Sequence, residues 1–203
     1  MARRTAHLMV SIAIVAAAAS GCGTSAPSRF YTLDATAVSD GTAPVNYPIM
    51  VGPVSVPAAV DRPEFVLQSA PNRVDVDEFN RWDAPLNDAV AQVVAGDLVK
   101  LLGTPNVASA PMANFVPAYR VTIDIQRFDS VPSQAALVEA VWTVHSTAGG
   151  KTRSGRTVAR EAVQGDGFDV LAAAHSRALA KMSGEIATAI RAEAEERPQS
   201  ARP

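Results

Sequence analysis

Cysteine occurs once in this 203-residue chain, at position 22, so no internal disulfide can form. Aromatic residues are scarce at 5%, and charge of either sign is sparse, with 18 Lys+Arg against 20 Asp+Glu. A formal net charge of −2 leaves no basic face for a nucleic acid. Low charge beside an ordinary 48% hydrophobic content excludes collagen-like, coiled-coil and wholly disordered polymers. Long hydrophobic runs are missing too. The longest, Leu8 to Ala19, is twelve residues broken only by Ser11. As a helix rising 1.5 Å per residue it falls well short of a hydrocarbon core of ~30 Å.

That short run has a purpose other than spanning. Arg3 and Arg4 precede it, no acid lies within it, and Ala19-Ser20-Gly21-Cys22 follows it. A basic start, an apolar middle and small residues make a signal peptide. Small residues directly before a cysteine resemble the lipobox of bacterial lipoproteins, with Ala19 where Leu is commoner. The resemblance implies cleavage between Gly21 and Cys22 and acylation of the Cys22 sulfur. Several acyl chains, at ~0.8 kcal/mol per buried CH₂, hold a protein stably to a bilayer where one chain does not. Gly23, rather than Asp, follows the cysteine, which by the same resemblance implies sorting to the outer membrane. Removal of residues 1–21 takes two arginines and no acid, leaving 182 residues with a formal charge of −4. That is enough chain for one packed core.

The expected organisation is a signal peptide at 1–21, a lipidated Gly/Ser/Pro tether at 22–28, one domain at 29–195 and a disordered tail at 196–203. Phe30 to Leu33 and Ile49 to Val56 read as strands, the second interrupted by Gly52-Pro53 in the manner of an edge or a bulge. Phe65–Leu67 and Arg73–Phe79 form a hairpin across Ala70-Pro71-Asn72. Asp83 is the expected N-cap of a helix with Pro85 in its first turn. Leu86, Val90, Val93, Val94, Leu98, Leu101 and Leu102 line its apolar face, and Gly103 ends it. Asn106 to Pro117 is expected to be irregular. Tyr119, Val121, Ile123 and Ile125 alternate with polar residues, and Val138, Ala140, Trp142 and Val144 repeat the pattern. A third strand runs from Thr152 to Val163. A long helix from Asp169 to about Glu195 carries Leu171, Ala174, Ala178, Met182, Ile186 and Ile190 on one side. Strands and helices in segregated runs predict an α+β fold, an antiparallel sheet with two amphipathic helices packed on one face.

Chemical motifs are few. His145 to Thr152 ends like a phosphate-binding loop but lacks the first glycine and a following helix, so it reads as a hairpin turn. Asp75, Asp77 and Glu78 are too few oxygens for calcium and read as a solvated strand face. Gly165-Asp166-Gly167 is a turn before a helix. His145 and His175 are the only histidines beyond the leader, without a G-x-S-x-G elbow or a second thiol. His175 lies one position from the apolar side of the last helix and reads as a flank or packing residue, and Trp82 and Trp142 read as core anchors. No catalytic residue, cofactor or metal site is expected, and no enzyme activity.

The ordered set of short motifs is more specific than any one of them. It comprises Arg29-Phe30-Tyr31-Thr32-Leu33, Ile49-Met50-Val51-Gly52-Pro53-Val54, Val56-Pro57, Asp61-Arg62-Pro63 and Asn72-Arg73-Val74. Arg81-Trp82-Asp83-Ala84-Pro85-Leu86, Phe128-Asp129 and Leu137-Val138-Glu139-Ala140-Val141-Trp142 follow. This series resembles the ABC-type transport auxiliary lipoprotein family, which includes the paraquat-inducible protein C lipoproteins. The resemblance implies an outer-membrane lipoprotein facing the periplasm that accompanies MCE-domain proteins and an ABC permease and ATPase in lipid transport. It implies a homo-oligomeric ring or docking part, with lipid as cargo and no nucleic acid. Only Cys22 carries over as a functional position. The alternative is a stand-alone lipoprotein that binds lipid or another envelope ligand in its own cavity.

Overall fold

The computed structural model describes residues 26–149 and 152–196. The expected signal peptide, the cleavage site Gly21-Cys22 and nearly all of the expected tail lie outside these residues. The elements in chain order are β1 (Arg29–Tyr31), β2 (Ile49–Ser55), β3 (Glu64–Ala70), β4 (Arg73–Trp82) and α1 (Leu86–Leu102). After them come β5 (Val107–Ala108), β6 (Tyr119–Val131), β7 (Ala135–Ser146), β8 (Thr152–Ala162) and α2 (Phe168–Glu195).

The eight strands form one sheet, but it is mixed rather than purely antiparallel. β6, β7 and β8 make an antiparallel meander, and β3 and β4 an antiparallel hairpin. β2, however, runs parallel to both β5 and β6, and β1 runs parallel to β4. Parallel neighbours need a long crossover, which the β3–β4 hairpin and α1 supply between β2 and β6. Periodicity reports which face of a strand is buried, not its direction, so the parallel pairs left no trace in the residue pattern. β7 occupies one edge of β6 over its whole length. β2 therefore shares the other edge with β3, which meets β6 at Leu67 and Ser130. The sheet divides there, and the irregularity expected at Gly52-Pro53 is a shift of register between Val51 and Val54. β2 lies between β5 and β6 at that end, so it is not an edge strand.

Both helices lie against the face that carries Val121, Ile123, Ile125, Val138, Ala140, Trp142 and Val144, all buried. α1 packs on β2 and β5, α2 on β6, β7 and β8, and the helices pack on each other. The predicted stripe of α1 is buried except for half-exposed Leu101, and the stripe of α2 is buried throughout. Gly103 ends α1 in a left-handed conformation (φ 64°) that suits glycine best. The expected N-cap differs. Pro85 occupies that position without a side-chain cap, while the Asp83 backbone N–H donates to the Tyr31 carbonyl at 3.1 Å and so ties β4 to β1. β5 lies inside the stretch expected to be irregular, because two residues suffice to extend the sheet beside β2.

Residues 32–48 form a strap across the helices between β1 and β2. Ser176 on α2 accepts from the Asp34 N–H (3.0 Å), and its carbonyl accepts from the Thr36 hydroxyl (3.3 Å). Asp97 on α1 accepts from the Ala37 N–H (2.8 Å), and the Leu102 carbonyl accepts from the Val45 N–H (3.0 Å). The strap passes so close that a Cβ on Gly96 would come within 2.9 Å of the Ala35 Cβ.

Candidate functional site

Three features of the domain offer themselves to ligands or partners: its free strand edges, the uncovered sheet face, and a cleft under the strap. β4 pairs with β3 on one side, and β1 covers only Asn80 to Trp82 on the other. Residues 73–79 are thus an open edge among the described residues. β8 pairs only with β7, which leaves a second open edge eleven residues long. Unpaired N–H and C=O groups along such edges are templates for another strand. Their charges are opposite. β4 carries Asp75, Asp77 and Glu78 with Arg73 and Arg81, whereas β8 carries Arg153, Arg156 and Arg160 with Glu161. Arg153 is paired with Glu193 (3.1 Å) and Glu196, and Arg156 with Glu139. Arg160 and Glu78 have no ion-pair partner among the described residues and are exposed.

The cleft, of about 810 Å³, lies where the strap leaves the end of α2, between Pro44, Tyr47, Tyr119, Arg191 and Glu195. Tyr47 stands edge-on to Tyr119 with ring centroids 5.0 Å apart. Burial, and then the neighbouring Tyr119, push the Tyr47 hydroxyl up to about 12, so it stays a neutral hydrogen-bonding group. Arg191 donates to the carbonyls of Ala43 (2.8 Å) and Leu101 (3.1 Å), binding strap to both helices. Its guanidinium is therefore engaged in holding the cleft wall.

The remaining sequence candidates are structural. His175 is fully buried, stacked on Phe128 at 3.8 Å, and its Nε2 shares a hydrogen bond with Ser130 (2.8 Å). Burial alone lowers its pKa to about 3, so the imidazole is neutral. Trp82 stacks on Phe65 at 4.0 Å, and the Arg81 guanidinium meets Glu64 at 3.3 Å. The Trp82 backbone N–H donates to the Pro63 carbonyl (2.7 Å), so the Asp61-Arg62-Pro63 and Arg81-Trp82 motifs pack against each other. Burial would raise the Asp77 carboxyl, but it accepts from the Asn80 side-chain amide (2.9 Å) and from the backbone N–H groups of Asn80 (2.9 Å) and Phe79 (3.0 Å), which together hold it below the usual range and bend β4 there. No cluster of metal-ligating side chains occurs among the described residues. Of the stretch after His145, Ser146 still belongs to β7 and residues 147–149 turn away from its end.

Sequence reasoning missed Asp97, which is completely buried on α1 and receives bonds from the Ala37 N–H and the Ser183 hydroxyl (3.1 Å). A signal existed. Positions 90, 94, 97 and 101 share one helical face, and an acid among valines and leucines there needs buried partners. Desolvation raises its pKa, opposed by those bonds and by Lys100.

These features define a two-layer α+β domain with one sheet face covered by two helices and, among the described residues, two long strand edges left open on β4 and β8. The model of a family described as "ABC-type transport auxiliary lipoprotein component" matches residues 31–187, and the chain belongs to that family. The motif resemblance is thereby borne out. No curated protein matches the chain. Among solved structures, protein XCC0632 from Xanthomonas campestris, of the DUF330 family, aligns with a TM-score of 0.67 at 18% identity. The alignment covers 82% of this chain and 99% of that one. An uncharacterized protein aligns with a TM-score of 0.66 at 18% identity, over 80% of this chain and 99% of that one. Both show the same fold. A PelC dodecamer from Paraburkholderia phytofirmans reaches only 0.37 at 12% identity, over 74% of this chain and 92% of that one, too low to carry an argument.

Proposed function

We propose that the mature chain, beginning at an acylated Cys22, is an outer-membrane lipoprotein facing the periplasm. In this reading it serves an MCE/ABC-type intermembrane lipid transporter as a docking or ring-forming part and catalyses no reaction. The observation that carries the reading is the pair of unpaired, oppositely charged strand edges on a domain of an ABC transport auxiliary family. Two different edges of one subunit meeting head to tail can close a ring, as heterologous interfaces do when the rotation closes. None of the described helices is long and apolar enough to cross a membrane.

Light scattering on the acylated chain in mild detergent tests the assembly. Glu78→Arg and Arg160→Glu should each reduce the oligomer, and the two together should restore it. A strict monomer at high concentration overturns the ring. Cys22→Ser should release the chain from membranes, and a variant that stays with them in high salt refutes the anchor. The cleft favours a second reading, a lipoprotein that binds lipid or another ligand in its own cavity. Lipid co-purifying with the monomer, and lost on Tyr47→Ala, would support that reading instead.

A further inference from the structure

The uncovered sheet face is not uniform. Over β6, β7 and β8 it is mostly polar, with Arg120, Thr122, Asp124, Thr143, Arg156 and Arg160 around half-buried Val141 and exposed Val158. Over β1, β3 and β4 it turns apolar. The register sets Phe30 abreast of Arg81 and Glu64, then Val66 beside Val76, and Gln68 beside Val74. Phe30 is 65% exposed, Val74 59%, Val76 41%, and Phe79, in the bend between them, 43%. No element among the described residues covers this stripe. Its exposure is not forced by a shortage of polar residues, since the neighbouring strands of the same face use them.

Its place in the chain indicates what covers it. β1 begins at Arg29, seven residues after Cys22. Seven residues reach at most about 25 Å when fully extended. Measured along β3, where the stripe runs four residues from Glu64 to Gln68 past the bend in β4, it is about 13 Å long. An anchor at Cys22 therefore keeps the Phe30 end within one tether length of the lipid, and the whole stripe can lie flat on it. Arg81, ion-paired with Glu64 at 3.3 Å, stands on this face in register with Phe30, where a guanidinium can meet lipid phosphates while the phenyl and valine side chains enter the headgroup boundary.

We infer that the Phe30–Phe79–Val76–Val74 stripe is a membrane-contact surface that seats the domain on the phospholipid bilayer holding its anchor. The contact fixes the orientation of the sheet, and with it the direction in which both open edges point. It rests on acylation of Cys22, so the test reads the two claims separately.

The full chain, processed and purified in detergent, is reconstituted into phosphatidylcholine–phosphatidylglycerol vesicles carrying brominated acyl chains, which quench only tryptophans at bilayer depth. Single variants Phe30→Trp, Val76→Trp and Val158→Trp report the stripe and the polar part of the face. Native Trp82 and Trp142 are buried and give the background. The expected result is loss of at least about half of the added emission at positions 30 and 76 and none at 158, in line with apolar side chains entering the interface. Equal quenching at all three positions, or none, overturns the stripe. Phe30→Ser with Val76→Ser, on the acylated chain, should leave flotation unchanged while the quenching of a Phe79→Trp reporter falls severalfold. The intact mass of the purified chain reports the anchor: an unmodified Cys22 refutes the anchor reading and this inference with it. An acylated chain without site-selective quenching refutes the stripe alone.

Discussion

Gly155 is the position where one methyl group should do most damage. It lies on β8 directly across from Trp142 on β7, and the indole covers it. A Cβ there would come 2.2 Å from Trp142 Cζ2, 2.6 Å from Cη2 and 2.7 Å from Cε2, all atoms of the six-membered ring. Ordinary carbon contacts need about 3.5 Å, so Gly155→Ala must drive the indole out of its place. The displaced ring gives up its buried bond from Nε1 to Thr157 Oγ1 at 3.0 Å; the Thr157 hydroxyl in turn donates to Glu185 on α2. Overpacking of this kind costs about 1–3 kcal/mol. A stranded indole N–H adds roughly 1–3 kcal/mol. A total near 3 kcal/mol should lower the melting temperature by about 6–12 °C for a domain of this size. Urea denaturation of the wild type, Gly155→Ala, Trp142→Phe and the double variant gives a complete cycle. Phenylalanine removes the outer ring atoms that clash, so the double variant should be more stable than the two single losses predict, by about 1–2 kcal/mol. A neutral Gly155→Ala, or strict additivity in the cycle, refutes the reasoning.

Other outcomes follow from buried polar groups. His175 has its pKa lowered from 6.5 to about 3 by burial, and the groups against it, Phe128, Trp82 and Ser130, do not ionise in this range. Its contribution is fully present above the unfolded value and is lost as pH falls from about 6.5 toward 3, with a slope of about 1.4 kcal/mol per pH unit. His175→Gln should flatten that limb in urea titrations at pH 4–7, and an unchanged slope counts against a buried neutral imidazole. Asp97→Ala strands the Ala37 N–H and should cost about 2–3 kcal/mol. Asp97→Asn keeps an acceptor and sheds the buried charge, so it should cost less. Limited proteolysis should find the strap cut faster in the alanine variant, and equal stability of the two variants would count against the Asp97 carboxyl as the tie between strap and helices.

The residue pattern alone decided much of this protein. Alternation in Tyr119–Ile125 and Val138–Val144 marked the buried face of β6 and β7, and 3.6-residue spacing marked both helices. Gly103 announced where α1 ends, and the order of short motifs pointed to the family that residues 31–187 match. These are signals between residues a few positions apart, where local geometry fixes the spacing. Direction and partnership are a different matter. That β2 runs parallel to β6, that β4 and β8 are left at open edges, and that Gly155 lies under Trp142 depend on which distant segments meet. Asp97 makes the same point, since its partners lie 60 and 86 positions away. A period of two tells a strand which face is buried but not which neighbour it takes. The apolar stripe from Phe30 to Val74 could be found only in three dimensions. Its members look like ordinary strand residues until the fold leaves their face uncovered.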